Sequence, residues 1–298
     1  ARGSKSFAMA SKLFDRVTRE RAWLLYAWCR KCDDIADGQD HGGTMRGVAD
    51  GQARLSTLRV LTDAALRGEP TGDPAFDGFG VVMRECAIPH RYAHDLLEGF
   101  ALDARDWRPR SEADMLRYCY HVAGAVGCMM AVLMGVDPED EATLDRACDL
   151  GIAFQLANIA RDISEDELAD RCYLPVEWLV EMDMPPGEHM KPWLRPKLAI
   201  LGQRLADMAA AYEDSARHGT GALPARAAWA VLAAAGIYGD IAREVARRGE
   251  HAWDHRVVTP AREKLGWVIR AGRQVPGRAR RWPPRAARAA GLWTRPTV

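Results

Sequence analysis

Nineteen consecutive residues, Tyr118 to Val136, contain no Asp, Glu, Lys or Arg, and this run narrows the folds open to the chain more than any other feature. Roughly 18 such residues suffice for a membrane-spanning helix. The run also carries Tyr118, Tyr120, His121 and three glycines. A span here would put the acidic segments Asp33–Asp37 and Asp162–Asp166 on opposite faces of a bilayer. A central helix, buried on all sides by other helices, accounts for it better.

Helical periodicity dominates the rest of the chain, and alternating strand-type runs are hard to find. The spacing predicts helices near 11–37, 49–67, 75–86, 91–104, 111–134, 140–166, 191–217, 223–249 and 260–271. Breaks are expected at Gly38–Gly43, Gly68–Pro74, Gly135–Pro138, Met184–Pro192 and Gly219–Pro224. Ser111 with Asp114, and Asp137 ahead of Glu141, read as helix starts. No stretch resembles an interdomain linker, and 298 residues suffice for one substantial core. The expectation is an all-α, single-domain bundle over residues 1–275. A basic Pro/Arg-rich tail, 276–298, is expected to depart from the compact fold.

Forty-one basic residues balance 41 acidic ones, so the chain as a whole favours neither nucleic acid nor membrane. The balance is uneven. Eight arginines and no acid lie between Arg270 and Val298, interleaved with Trp282 and Trp293. That tail reads either as solvated chain or as a peripheral contact with an anionic membrane surface. The seven cysteines are scattered through apolar stretches, which suits a reducing, cytoplasmic setting. Cys29 and Cys32 form a lone CxxC without the second pair a zinc site needs. The opening residues are polar and carry no secretory pattern.

The acids that matter fall in two stripes. In Tyr26-Ala-Trp-Cys-Arg-Lys-Cys-Asp33-Asp34-Ile-Ala-Asp37, Asp33 and Asp37 share one helix face ~6 Å apart along the axis, with Arg30 one turn earlier. In Gln155-Leu-Ala-Asn158-Ile-Ala-Arg161-Asp162-Ile-Ser-Glu165-Asp166, Asn158, Asp162 and Asp166 repeat at intervals of four. Like charges at that spacing destabilise a helix unless a positive group lies between them. Either stripe alone would also suit an exposed helix face. Gln155 and Asn158, however, sit in an apolar segment where an unpartnered amide costs about 1–3 kcal/mol. Oxygen-only stripes suit Mg²⁺, with Mn²⁺ as an alternative; the ion takes one or two carboxylates, water and phosphate oxygens. Two stripes facing each other could clamp a diphosphate as a leaving group. The carbocation left behind would need a dry pocket with π faces, for which Phe7, Tyr26, Tyr118, Phe154 and Tyr238 are candidates. The small-residue run Val122-Ala-Gly-Ala-Val126-Gly127 leaves room beside it for a long apolar chain.

These segments resemble the squalene/phytoene synthase family, and the bacterial phytoene synthases in particular. The resemblance runs from Gly3-Ser-Lys-Ser-Phe7 to about Arg256. It includes the YAWCRKCDDIAD segment, Tyr118-Cys-Tyr-His-Val-Ala-Gly-Ala-Val-Gly127, NIARDISED and Arg171-Cys-Tyr-Leu-Pro175. It implies an isoprenoid-synthase bundle with a central cavity and two facing aspartate-rich helices. Asp33, Asp37, Asp162 and Asp166, with Asn158, would then be metal-associated. Arg30, Arg161, Gln155, Asn158 and Arg171 would bind diphosphate or support the metal-bearing shell, and Arg256 is carried over less directly. Ser4 and Ser6, beside Phe7, would lie at the cavity mouth. Tyr26, Tyr118, Val122, Val126, Gly127 and Tyr238 would line the apolar pocket. Ala169 and Asp170 precede Arg171 where many relatives have Gly before the arginine.

The implied reaction is a head-to-head condensation of two geranylgeranyl diphosphates through a cyclopropylcarbinyl diphosphate to phytoene, the first committed step of carotenoid biosynthesis. No NADPH is expected. A C15-using relative making dehydrosqualene or squalene stays open, as does a family scaffold without catalysis. A terpene cyclase would not explain the SKSF and RCYLP segments. A di-iron bundle would need paired Glu-x-x-His motifs, which the chain lacks.

Overall fold

The computed structural model describes residues 5–36, 48–185 and 187–297, with side chains for 7–36, 51–185 and 187–297. Among them there is no strand. The helices are α1 (Lys5–Ser11), α2 (Arg16–Ala36), α3 (Val48–Arg67), α4 (Pro74–Glu85), α5 (Arg91–Asp103), α6 (Glu112–Cys119) and α7 (Ala125–Leu133). They continue as α8 (Glu141–Leu168), α9 (Val176–Glu181), α10 (Arg195–Gly219), α11 (Ala225–Arg248), α12 (Ala261–Gln274) and α13 (Arg278–Arg281).

Local chemistry explains where they start. Ser111 accepts from the Asp114 backbone N–H while the Asp114 carboxylate accepts from that of Ser111, closing a capping box at α6. The start of α8 is capped by Asp140, not Asp137: Asp140 accepts from the N–H and hydroxyl of Thr143, whereas Asp137 holds the preceding turn through the N–H of Glu139. The helix expected over 11–37 is α2, which starts later, at Arg16, because Asp15 accepts from both the N–H and the hydroxyl of Thr18; α1 before it was not expected.

The long uncharged run lies inside the body. Glu112–Leu133 is long and apolar enough to pass for a membrane span, but most of its apolar window is buried by the surrounding helices. It is not one regular helix. Tyr120–Gly124 forms a π-helical segment between α6 and α7, a widening that often accompanies functional sites. Behind it runs α8, the central element, packed against α7, α10 and α11. The approach is close. A Cβ on Gly127 would sit 2.4 Å from the carbonyl oxygen of Ala147, and one on Gly151 would sit 2.3 Å from that of Ala123, so both positions require glycine.

The C-terminal segment does not depart from the body. Trp282 is buried, and the Arg295 side chain is wholly enclosed, paired with Glu141 and with Asp145 at 2.9 Å. Arg288 grips the buried Asp149 with two donors, at 2.6 and 2.9 Å. The expectation of a detached tail fails because acids on the first turns of α8 supply the counter-charges that the tail's own sequence lacks.

Candidate active site

Two cavities meet between α2, α5, the π segment and α8. One, of about 460 Å³, is mostly apolar and runs from Asp33 and Asn158 to Arg146 and Thr220. The other, of about 610 Å³, is polar and contains Asp33, Asp103, Asp162, Asp166, Arg54 and Arg171. Asp33, Val122, Gln155 and Asn158 border both. The four-residue period of α8 produces this arrangement: Asn158, Asp162 and Asp166 recur on one helix face.

The first stripe stands at the rim. Asp33 is half-exposed and pairs with Arg30 at 3.2 Å, while the same guanidinium reaches Asp34 at 2.5 Å. Asp37 and Ser4 lie outside the described residues, as does the side chain of Ser6. The second stripe is enclosed. Asp162 receives Arg161, at 2.6 Å in one of two contacts, and Arg256 at 2.8 Å. Arg256 also approaches Glu165, at 3.9 Å. Neither arginine lines a chamber; both stand behind Asp162. Burial, with Asp162 beside it, pushes the Asp166 carboxyl up to about 7. The backbone N–H of Arg171 donates to the Asp166 carbonyl at 2.8 Å, which brings the Arg171 segment back against the chamber. Asn158 donates to Gln155 at 3.4 Å, so the two amides in the apolar stretch partner each other at the junction of the chambers.

Aromatic pairs wall the apolar chamber. Phe7 stacks on Tyr26 with centroids 4.5 Å apart, and Phe154 on Tyr238 at 4.1 Å. Val126 and Gly127 line it as well. Tyr118 does not. Expected in the apolar pocket, it borders the polar chamber instead, stacked on Tyr173 at 4.8 Å. Both phenols donate to Asp103, at 3.1 and 2.9 Å. Burial and the Asp103 carboxylate push both phenols far above their ordinary value, so they remain protonated donors.

Asp103, Tyr173 and Arg54 escaped the sequence reading. One signal was available for Asp103: it is the last residue of α5, where the helix dipole disfavours a negative charge. Arg54 carried none. Burial raises both the Cys29 and Cys32 thiols well above their ordinary value, which disfavours a reactive thiolate at the CxxC.

Among the described residues, no three His, Cys, Asp or Glu side chains converge into a self-sufficient metal cage. The donor set nonetheless fits a hard cation shared with a substrate. Asp33, Asn158, Asp162 and Asp166 present only oxygen ligands to one chamber, apart from the Asn158 amide nitrogen, and Mg²⁺ typically takes one or two carboxylates with phosphate oxygens and water. Burial first, and Asp162 second, disfavour a bare negative charge on Asp166.

Comparison with known proteins agrees with this geometry. The sequence profile described as squalene/phytoene synthase matches residues 1–263. A phytoene synthase of Pseudescherichia vulneris is 47% identical over 299 residues, covering 99% of this chain and 95% of that protein. A 15-cis-phytoene synthase of Pantoea ananas is 47% identical, covering 99% and 94%. The crystal structure of a dehydrosqualene synthase in complex with ligand superposes with a TM-score of 0.81 at 25% identity, covering 92% of this chain and 93% of that one.

Proposed function

This chain belongs to the squalene/phytoene synthase family, and from that premise we propose that it condenses two geranylgeranyl diphosphates head to head to phytoene. The observation that carries the reading is the joined pair of chambers: a polar one bearing both acidic stripes opens, at Asp33, Gln155 and Asn158, into an apolar one walled by stacked aromatics. Near-full-length identity of 47% to two phytoene synthases favours the C20 substrate. The enzyme is a prenyltransferase with the all-α isoprenoid-synthase fold.

In the first half-reaction the C1–O bond of one diphosphate breaks and its electron pair leaves with diphosphate. The C2=C3 bond of the second substrate captures the C1 cation, and a proton is lost to give the cyclopropylcarbinyl diphosphate. In the second, that diphosphate leaves, the three-membered ring rearranges to a 1-1′ bond, and a second proton departs. Both diphosphates leave with their electron pairs, and the last cation is quenched by loss of a proton and not by hydride, so no reductant is consumed.

Arg54 and Arg171 line the polar chamber, and Arg30 borders the apolar one beside Asp33; together they supply cationic donors for diphosphate oxygens. Asp33, Asn158, Asp162 and Asp166, with Asp37, are the residues that would hold Mg²⁺, which supplies Lewis-acid charge neutralisation on the departing diphosphate. Arg161 and Arg256 brace Asp162. Phe7, Tyr26, Phe154 and Tyr238 offer π faces to the allylic cation and exclude water from it. Tyr118 and Tyr173 fix Asp103 beside the chemistry. Incubation with the C20 diphosphate and Mg²⁺ tests the assignment through the hydrocarbon formed.

We further propose a peripheral site at the cytoplasmic membrane face. Arg278, Arg288 and Arg295 are occupied inside the fold, so the contact is carried by what remains outside. On α12, Leu265 and Ile269 are about half-exposed between Arg262 and Arg273. Arg280, Arg281 and Arg285 continue the basic surface. Apolar residues flanked by arginines on one helix face suit insertion at an anionic headgroup layer. Co-sedimentation with phosphatidylglycerol vesicles is expected to fall several-fold when Leu265 and Ile269 are both changed to Glu. Unchanged binding would contradict it.

A further inference from the structure

The far end of the apolar chamber is made of two pieces that the C-terminal segment fastens from outside. One is Arg146 on α8, a buried arginine that lines the chamber. Its guanidinium donates to the Ser215 hydroxyl at 2.6 Å and to the carbonyl of Ala286 at 2.7 Å. The other is the turn Thr220–Ala222, which with Leu223 joins α10 to α11 and closes the wall. Arg278 donates to the carbonyls of Thr220 and Leu223, each at 2.9 Å. Pro284 presses on the same turn: a Cβ on Gly221 would come within 2.4 Å of its Cγ.

Arg146 and Asn158 lie on one helix, both facing the chamber, and their twelve-residue separation spans ~18 Å. That is commensurate with an extended C20 chain. A prenyl diphosphate headed into the polar chamber therefore sends its last isoprene unit toward Arg146 and the Thr220–Leu223 wall. There, Arg146 can offer its methylene stem to hydrocarbon only while its charged end is satisfied outside the chamber. Ser215 and Ala286 provide that satisfaction.

We infer that residues 278–295 form a strap that sets the depth of the chain-binding chamber, and with it the longest prenyl chain the enzyme accepts. The strap touches neither acidic stripe; Arg278 is a positioning residue that acts through the turn it holds. The inference rests on reading the site as that of a prenyl diphosphate synthase. A chain one isoprene unit too long must displace the wall, and a packed wall of this kind discriminates by ~10-fold or more.

The test uses full-length protein with Arg278→Ala, which removes both donors to the turn, and separately Gly221→Ala, which pushes Pro284 off it. Gly221 has a backbone conformation open to any residue, so the second change strains only the contact with Pro284 and gives an independent test if the first protein is poorly folded. Diphosphate release is measured with C15, C20 and C25 all-trans allylic diphosphates. Expected is a rise of about fivefold or more in the C25:C20 ratio of kcat/KM, mainly through the KM for C25, with the C15:C20 ratio nearly constant. An unchanged C25:C20 ratio, or a parallel fall with all three substrates, in protein that melts close to the parent would overturn the strap inference alone. Parent protein inactive with every chain length would overturn the substrate assignment, and the strap inference with it.

Discussion

Replacing Asp162 with Ala should reduce hydrocarbon formation by ~10²–10³-fold, on the scale of removing a principal electrostatic contact from a transition state, while leaving the helical circular dichroism nearly unchanged. Asp162 is the enclosed acid of the second stripe and borders the polar chamber. It is also where Arg161 and Arg256 converge. Two effects of its loss oppose each other in stability. Arg256 is half-exposed and its pair contributes ~1 kcal/mol or less, but Arg161 is largely enclosed, and leaving it without its carboxylate costs stability. Asp166 meanwhile loses the like charge that helps push its carboxyl up. Catalysis has no such compensation. Asp162→Asn separates the two roles, because an amide oxygen can still accept from an arginine but is a poor substitute for a carboxylate beside a divalent cation. The account predicts that Asn is nearly as inactive as Ala. Near-parental turnover with Asn would reduce Asp162 to an arginine brace, and near-parental turnover with Ala would remove it from the site.

Arg288→Ala should be among the most destabilising single changes outside the apolar core, at about 3–5 kcal/mol. The Asp149 carboxylate is wholly buried and held by Arg288 with two donors and by the Ser215 hydroxyl at 2.5 Å. Truncating the arginine leaves that charge with one neutral partner. For a protein of this size the melting temperature should fall by roughly 10 °C. Adding Asp149→Asn to Arg288→Ala removes the orphaned charge and should recover a large part of the loss. Thermal unfolding of both variants provides the measurement. A loss under about 1 kcal/mol in the single variant would mean that the C-terminal segment is not docked as described. Deleting the chain beyond 276 is accordingly a poor test of membrane contact, because it removes Arg288 from the buried Asp149 and the enclosed Arg295 from Glu141 and Asp145, along with the exposed arginines.

The contrast between α8 and the tail shows what the sequence could reveal. The second stripe was legible because helical periodicity fixes which residues share a face, and Gln155 and Asn158 in an apolar run called for a partner. The facing of the stripes was legible only through the family resemblance, since nothing local links Asp33 to Asp162. The tail was misread for a related reason. Eight arginines without a local acid resemble solvated chain, and their partners Glu141, Asp145 and Asp149 lie well over a hundred residues earlier. The later start of α2 was legible, since Asp15 and Thr18 are a capping pair. The π segment had no readable signal, because one extra residue per turn barely shifts a short hydrophobic pattern. It sits between Tyr118 and Val126, and their division between the polar and apolar chambers follows from backbone geometry that periodicity does not encode.

The most direct test of the central claim is to incubate the full-length protein with geranylgeranyl diphosphate and Mg²⁺, with and without NADPH, and identify the hydrocarbon in an organic extract by mass spectrometry. A C40 triene-centred hydrocarbon formed without NADPH, and abolished by EDTA until Mg²⁺ is restored, is the predicted result. No hydrocarbon from the C20 substrate, alongside a C30 product from farnesyl diphosphate, would contradict it.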